Sequence, residues 1–410
     1  MSQARSGVAE PKRGLAAVPR GVWVLGLVSL CMDLSSELIH SLLPLYLAIG
    51  LGASTLTIGV IEGVAEAIAL IVKIFSGVLS DIFRKRKALV VLGYGMAAVT
   101  KVVFPLAPSV GWVVTARFAD RVGKGIRGAP RDALITDITP AEVRGASFGL
   151  RQALDTVGAV GGPLMAIAAI TAFAGNFKAA FWVAVVPAFI CVVLLIFGVD
   201  EPDRRKIGDG TEKEMHLHFA DAKRLGSAFA IVVAIAAVLT LARFSEAFLI
   251  LRARDVGLAV GAAPWVMVVM SLVYAIVAYP TGAAADRGYG PKLLSAGLIA
   301  LVVSDVVLAN AAGGASVMVG AALWGLHMGL TQGLLAALVA AAAPADLRGT
   351  AFGVFNLVCG VALLAASVIA GWLWDAFGPQ FTFYAGAAFT AIAWIAFLAY
   401  GRAASDLRHA

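Results

Sequence analysis

Asp33, Glu37 and His40 stand at i, i+4 and i+7 inside an otherwise apolar stretch, so on a helix they share one face. Carboxyl groups in poorly hydrated surroundings can exchange protons near neutral pH. Carboxylates beside an imidazole can also ligate a transition metal. Glu62, Glu66 and Lys73 follow in the next apolar stretch, and Lys101 in the one after it. Between 109 and 131, Arg117, Asp120, Arg121, Lys124, Arg127 and Arg131 recur at helical spacing and form one net positive stripe. Such a stripe either lines a cavity that attracts anionic or polar groups, or is neutralised in fixed pairs by Asp33, Glu37 or Asp81. Fixed pairing is expected for Arg127 and Arg131; for Arg117 and Arg121 both readings stand. Arg151 and Asp155, Arg243 and Glu246, Asp305 and His327 are scattered through later apolar stretches. Proton exchange is expected first at Asp33 and Glu37, then at Glu62 and Glu66. His40, Arg117, Asp120, Arg121, Arg243, Glu246 and His327 are the candidate cavity residues, although a lone histidine such as His327 is more often a packing residue.

Ionisable groups inside lipid are costly and face a cavity or a partner, so the elements around them must provide that cover. The chain has 410 residues, 60% hydrophobic and 14% charged, against about 25% charged in soluble domains. Soluble cores stop growing near about 250–300 residues, so one core cannot hide this apolar excess. Apolar stretches of spanning length fall at 21–48, 55–80, 87–106, 109–131, 147–172, 178–199, 225–252, 262–283, 291–311, 314–341, 349–374 and 381–402. They are too long and too rich in Leu and Ala for barrel strands, which predicts an all-α membrane protein of twelve transmembrane helices. The first run, after Arg20, lacks a small-residue cleavage site and reads as a retained helix.

The formal charge of +7 lies mostly between spans, which indicates membrane topology and argues against a nucleic-acid partner. Arg5, Lys12, Arg13 and Arg20 precede the first span, and Arg84, Lys85, Arg86 and Lys87 follow the second. Arg204, Arg205, Lys206, Lys213, Lys223 and Arg224 follow the sixth, Arg287 and Lys292 the eighth, and Arg348 the tenth. The loops on the other side are nearly free of Lys and Arg, with Lys178, Arg252 and Arg254 as exceptions. The positive-inside rule therefore predicts cytoplasmic termini in a bacterial inner membrane. The expected organisation is a tail at 1–20, a six-helix bundle at 21–199, a cytoplasmic linker at 200–224, a second bundle at 225–402 and a tail at 403–410.

A duplication underlies the two bundles. Pro140-Ala-Glu-Val-Arg144-Gly145 returns as Pro344-Ala-Asp-Leu-Arg348-Gly349, with Phe148-Gly149 matched by Phe352-Gly353, all at an offset of 204 residues. Gly77-Val-Leu-Ser-Asp81 is echoed by Gly282-Ala-Ala-Ala-Asp286 at 205. This shift carries the first span onto the seventh without inverting it, so the repeat is parallel.

On these residues the chain resembles the major facilitator superfamily over nearly its whole length. The family's loop between its second and third helices reads Gly-x-x-x-Asp-Arg-x-Gly-Arg-Arg. Gly77, Asp81, Lys85 and Arg86 match in register, while Ile82 and Arg84 replace the usual Arg and Gly. The second copy keeps Gly282, Asp286 and Arg287. The resemblance implies a conformational latch at these seven positions. Arg121-x-x-Lys124-Gly125 is similar to the Arg-x-x-Gln-Gly motif of the proton-coupled exporter branch, with Lys for Gln. Gly158-x-x-x-Gly162-Pro163 looks like the first half of that branch's antiporter motif, whose later Gly pair is absent at Ala166 and Ile167.

Other features have plainer readings. Cys31, Cys191 and Cys359 read as packing residues, without metal-site or disulfide spacing. The Gly-rich run at 158–162 reads as a close helix-packing site, Ala336–Ala343 as tightly packed helix. His216 and His218 beside Glu212 and Glu214 read as a solvated linker. No Gly-x-x-x-x-Gly-Lys-Ser/Thr loop is present, which argues against ATP, and no nucleophile–base spacing suggests an enzyme. The expected function is secondary active transport by alternating access, with proton-coupled efflux of a small organic, anionic or amphiphilic solute. A divalent metal ion or its chelate is the alternative cargo. No cofactor is expected. The expected partners are the lipid bilayer, protons and a small-molecule substrate, with one chain sufficient to act alone.

Overall fold

A computed structural model describes residues 17–83, 85–201, 224–344 and 347–409. The N-terminal tail before 17, Arg84, most of the linker with His216 and His218, and the side chains of Asp81 and Arg348 lie outside the described set. In lipid a backbone can satisfy its own polar groups only by coiling or by closing a barrel. The apolar stretches here coil. In chain order the helices are α1 (Arg20–Leu45), α2 (Thr55–Phe83), α3 (Arg86–Leu106), α4 (Val110–Ile138), α5 (Arg144–Ala172) and α6 (Phe177–Gly198). The second half contains α7 (Gly226–Ala242), α8 (Ala247–Asp255), α9 (Trp265–Ala284), α10 (Gly290–Ala309), α11 (Gly314–Ala342), α12 (Arg348–Phe377) and α13 (Pro379–His409).

Nine stretches among the described residues are long and apolar enough to cross a membrane by composition. One of them, 265–309, turns back at Gly288, whose φ of 89° suits a residue without Cβ, and so supplies both α9 and α10. α2 and α4 are 29 residues each and so long enough to span as well; α4 carries too many charges to be found by composition. α7 and α8 are two pieces of one span, which completes the twelve.

Three elements depart from the sequence expectation. The fourth span was expected to end near 131, but α4 continues to Ile138, because its last two turns are charged and invisible to an apolar pattern. The seventh span was expected to be continuous; it unwinds at Arg243–Glu246. Ser367 Oγ accepts the freed Ser245 N–H at 3.2 Å, and Ser245 Oγ accepts Ala247 N–H at 3.3 Å. These two bonds replace the helical ones that a mid-membrane break forfeits. The Ala-rich run is not uniformly packed: Ala336 and Ala337 are exposed.

Within the first half α1 packs on α5 and α6, α4 on α2 and α3, and α3 on α6. The second half repeats every pairing: α7 on α12 and α13, α11 on α9 and α10, and α10 on α13. The halves meet through α2 with α12 and α5 with α9, which exchange under the repeat.

We call the end where α1 begins and α6 finishes the terminal face, and the other end the loop face. Near the loop face the halves share one interior. Ala247 and Leu251 of α8 pack with Leu38, Ile39 and Leu42 of α1, and Trp374, Phe177 and Val260 touch the cores of both halves. Gly59, Gly63 and Gly371 bring α2 and α12 to backbone contact. A Cβ on Gly371 would sit 2.7 Å from both Leu56 Cα and Thr55 O. Near the terminal face the cores are separate, Val22, Tyr94 and Leu195 in one half and Phe229, Val339 and Ala351 in the other. The two halves are thus sealed at the loop face and parted at the terminal face.

Candidate functional site

Between the parted halves lies a cavity of about 540 Å³. Glu37 and His40 of α1, Glu66 of α2, and Arg121 and Lys124 of α4 form its first-half wall. Opposite them are Arg243, Phe244, Ser245 and Glu246 of the unwound segment, with Met267, Met270 and Tyr274 of α9, Trp324 and Met328 of α11, and Phe355 and Asn356 of α12. One wall is ionic. The other is aromatic and rich in methionine, save for the segment where the seventh span opens.

Behind the ionic wall the charges are paired. Arg117 Nη2 lies 2.5 Å from Glu62 Oε2, with both side chains 1% exposed. Lys101 Nζ donates to Asp120 at 2.8 Å, equally deep. At the cavity edge Arg121 Nη2 lies 3.2 Å from Glu66, whose carboxylate remains partly open. His40 spans the two layers, its Nδ1 3.7 Å from Glu37 and its Nε2 3.8 Å from Glu62. The sequence expectation gave the stripe's neutralisation to Asp33, Glu37 or Asp81. For Arg117 and Arg121 the carboxylates come instead from α2, on which α4 packs.

Asp33 sits one turn from Glu37 towards the terminal face, pressed on α5, and makes no ion pair among the described residues. A Cβ on Gly158 would lie 2.7 Å from the Asp33 Cβ, and one on Gly162 would collide with the Glu37 Cβ. Gly158, Gly162 and the buried Pro163 therefore let α5 approach α1 and hold the carboxylate-bearing face in place. Asp33, Glu37 and His40 do not converge as a metal cluster, and the described residues hold no group of three potential ligands.

Arg127 was expected in an ion pair; its guanidinium instead stacks on the Tyr94 ring at 4.5 Å. Arg131 pairs with Asp132 at 3.2 Å and donates to Ser29 Oγ at 2.6 Å. Arg151 pairs with Asp155 and Asp132. His327 does not reach the cavity. It is fully buried, and its Nδ1 lies 3.0 Å from the Gly297 carbonyl of α10.

The expected latch positions are divided. Arg86 is buried and pairs with Asp137 at 2.6 Å, while its backbone N–H and that of Lys87 donate to Glu201. These bonds tie α3, α4 and the end of α6 together within one half. Gly77 packs loosely on Ala129 of α4, and Lys85 is exposed. Gly282, Asp286 and Arg287 are exposed, and a Cβ on Gly282 would meet nothing within 4 Å. The reason is the parting of the halves at this face.

Sequence reasoning passed over Lys124 as a cavity residue, although it lies one turn from Arg121 on the same stripe. Met267, Met270, Tyr274 and Trp324 carried no signal, because an apolar residue facing a cavity and one facing lipid look alike in sequence.

The profile of the Major Facilitator Superfamily matches residues 25–251 and 229–408. An uncharacterized MFS-type transporter of Methanocaldococcus jannaschii is 32% identical over 376 residues, covering 90% of this chain and 91% of that protein. The inner membrane transport protein YajR of Escherichia coli is 26% identical over 388 residues, covering 91% and 81%. Among solved structures, the nucleoside transporter NupG superposes with a TM-score of 0.77 at 13% identity, covering 92% of this chain and 99% of that one. A POT peptide transporter in complex with sulfate gives 0.78 at 16% identity, covering 97% and 96%. At these identities the structures speak for the fold alone. Fold, repeat and sequence agree, and the chain belongs to the major facilitator superfamily, a family of membrane-embedded secondary transporters.

Proposed function

We propose that this protein is a proton-driven transporter that exports a small amphiphilic organic solute by alternating access to the central cavity. The division of the cavity wall carries the reading. Arg121, Lys124 and Arg243 offer positive charge to an anionic or polar head, and Lys124 and Arg243 have no ion-pair partner among the described residues. Met267, Met270, Trp324 and Phe355 offer a polarizable apolar surface to the rest of the solute. Glu37, open to the cavity beside His40, is the first proton carrier, with Asp33 behind it. Glu62 serves as the counter-ion of Arg117, and Glu66 exchanges between Arg121 and solute. Glu246 lies within electrostatic reach of Glu37, Glu66 and Lys124, so proton and solute can compete across one space.

Basic residues gather at the terminal face, Lys85, Arg86, Lys87, Arg144, Arg287 and Lys292 among them. This supports a cytoplasmic terminal face in a bacterial inner membrane, and hence an inward-open cavity. Both walls come from one chain, which supports a functional monomer. The similarity at Gly158–Pro163 supports export.

The test uses purified protein in vesicles loaded with a pH-sensitive dye, challenged with lipophilic cations, organic anions and divalent metals. An organic amphiphile is expected to drive proton flux in the native protein and none in Glu37→Gln. Equal flux in both removes Glu37 from the coupling path, and flux with metal ions alone replaces the organic solute with the metal cargo.

A further inference from the structure

Asp305 on α10 is a buried carboxyl group that the transport cycle above does not use. It is 0% exposed, and neither of its oxygens has a hydrogen-bond partner among the described residues. A Cβ on Gly386 of α13 would lie 2.7 Å from Asp305 Oδ2 and 3.1 Å from Phe244 Cε1, so the carboxyl group lies beside the edge of that ring. Phe244 in turn packs at a tilt against Trp324, with ring centroids 5.3 Å apart, and edge-to-face with Phe383 at 5.6 Å; both Phe244 and Trp324 line the cavity. One layer of aromatic side chains thus separates Asp305 from the cavity.

The charged and titratable groups on the surrounding elements are engaged elsewhere. Arg252 of α8 donates to the carbonyls of Leu308, Ala309 and Ala311. His327 of α11 is on Gly297, and Tyr384 of α13 donates to Asn310. Arg243 and Glu246 sit on the cavity wall to either side of Phe244 and Ser245. A carboxylate without donors or a counter-ion is far too costly in such a place, so the group is a neutral acid here. The repeat sharpens the contrast: a shift of 204 residues places Asp305 on Lys101 and Trp324 on Asp120, the pair that is ionised in the first half.

We infer that Asp305 is a second proton-binding site, in the half that carries no ionic wall, and that Phe244 controls its exchange with the cavity. Phe244 is placed to do so because it belongs to the unwound Arg243–Glu246 segment. Any change of that break between conformations moves the ring. The proton is then held while the cavity is parted at the terminal face and exchanged when the break rearranges. The inference rests on the transport reading only for its role in a cycle; the protonation itself does not.

Infrared spectroscopy of the native protein, Asp305→Asn and Phe244→Ala in lipid needs no substrate. The native spectrum is expected to contain the carbonyl band of a neutral, non-hydrogen-bonded carboxylic acid that Asp305→Asn lacks. Its deuterium shift is expected to be slow in the native protein and several-fold faster in Phe244→Ala. Identical bands in native and Asp305→Asn protein overturn the site, and equal exchange rates overturn the control by Phe244. In the dye-loaded vesicles, Asp305→Asn is expected to lower the protons moved per solute while solute movement persists; an unchanged ratio overturns its exchange during the cycle. Silence of every variant in vesicles, with the infrared result intact, counts against the transport reading and leaves the proton site standing.

Discussion

α2 and α4 meet through Glu62 with Arg117 and Glu66 with Arg121, whereas their counterparts α9 and α11 meet without a charge. A shift of 204 residues puts Val266, Ala321, Met270 and Gly325 at the four positions. Where Arg121 reaches for Glu66, the added Cβ of Gly325 would collide with the Met270 carbonyl, so the backbones themselves touch. The helix pairings are identical, yet one seam is ionic and the other is steric. The contrast teaches that the architecture depends on helices of the right length with complementary shape, and that the chemistry of the seam is free to specialise. The first half has specialised in charge. The second has specialised in an apolar wall and a broken span.

The largest effect should come from splitting the ionic seam. Glu62→Val or Arg117→Ala alone takes the nearest partner from a buried charge and is expected to cost about 3–5 kcal/mol. The double variant, which copies the second half, is expected to recover most of that loss in thermal unfolding. If it unfolds as readily as the single variants, the two seams are not equivalent.

Lys124 faces the cavity without an ion-pair partner among the described residues, so Lys124→Gln should leave stability within about 0.5 kcal/mol. An anionic solute that uses it would lose a charge-assisted bond of about 1.5–3 kcal/mol, at least tenfold in affinity. Unchanged affinity for an anion active in the vesicle screen would separate the ionic wall from solute binding. A smaller effect is expected in the second half. His327→Leu should cost about 1 kcal/mol through its bond to Gly297 and leave transport intact. Lost transport in a folded His327→Leu protein would return this histidine to the site.

The smallest expected effect concerns the seal between the halves. Asp375 at the end of α12 accepts the Thr55 and Leu56 N–H groups at 3.1 and 2.8 Å, a carboxylate of one half on the helix N-terminus of the other. Asp375 is exposed, so Asp375→Asn should cost the sealed form about 0.5–1 kcal/mol, a two- to fivefold shift in population. Fluorescent labels across the loop face would report it as a greater open fraction; an unchanged distribution would assign the seal to the Gly59–Gly371 seam alone.

The length and apolarity of the stretches, the parallel duplication and the family were legible in the chain, because lipid leaves few ways to satisfy a backbone and a repeat leaves its offset in plain view. Glu37, His40, Glu66, Arg121, Arg243 and Glu246, which line the cavity, stood out in the sequence because a charge among apolar neighbours needs a reason. Helical spacing places Arg117, Arg121 and Arg127 on one stripe, but cannot say that the first meets Glu62, the second Glu66 and the third the face of Tyr94. Those partners depend on how α4 lies against α2 and α3. Likewise no local pattern distinguishes Asp305, isolated behind Phe244, from Asp120, paired with Lys101. Partner choice, the break at 243–246 and the side on which the halves part depend on residues hundreds of positions apart meeting across an interface. Only the tertiary structure decided them, because the energy of a buried charge is fixed by what stands opposite it in space.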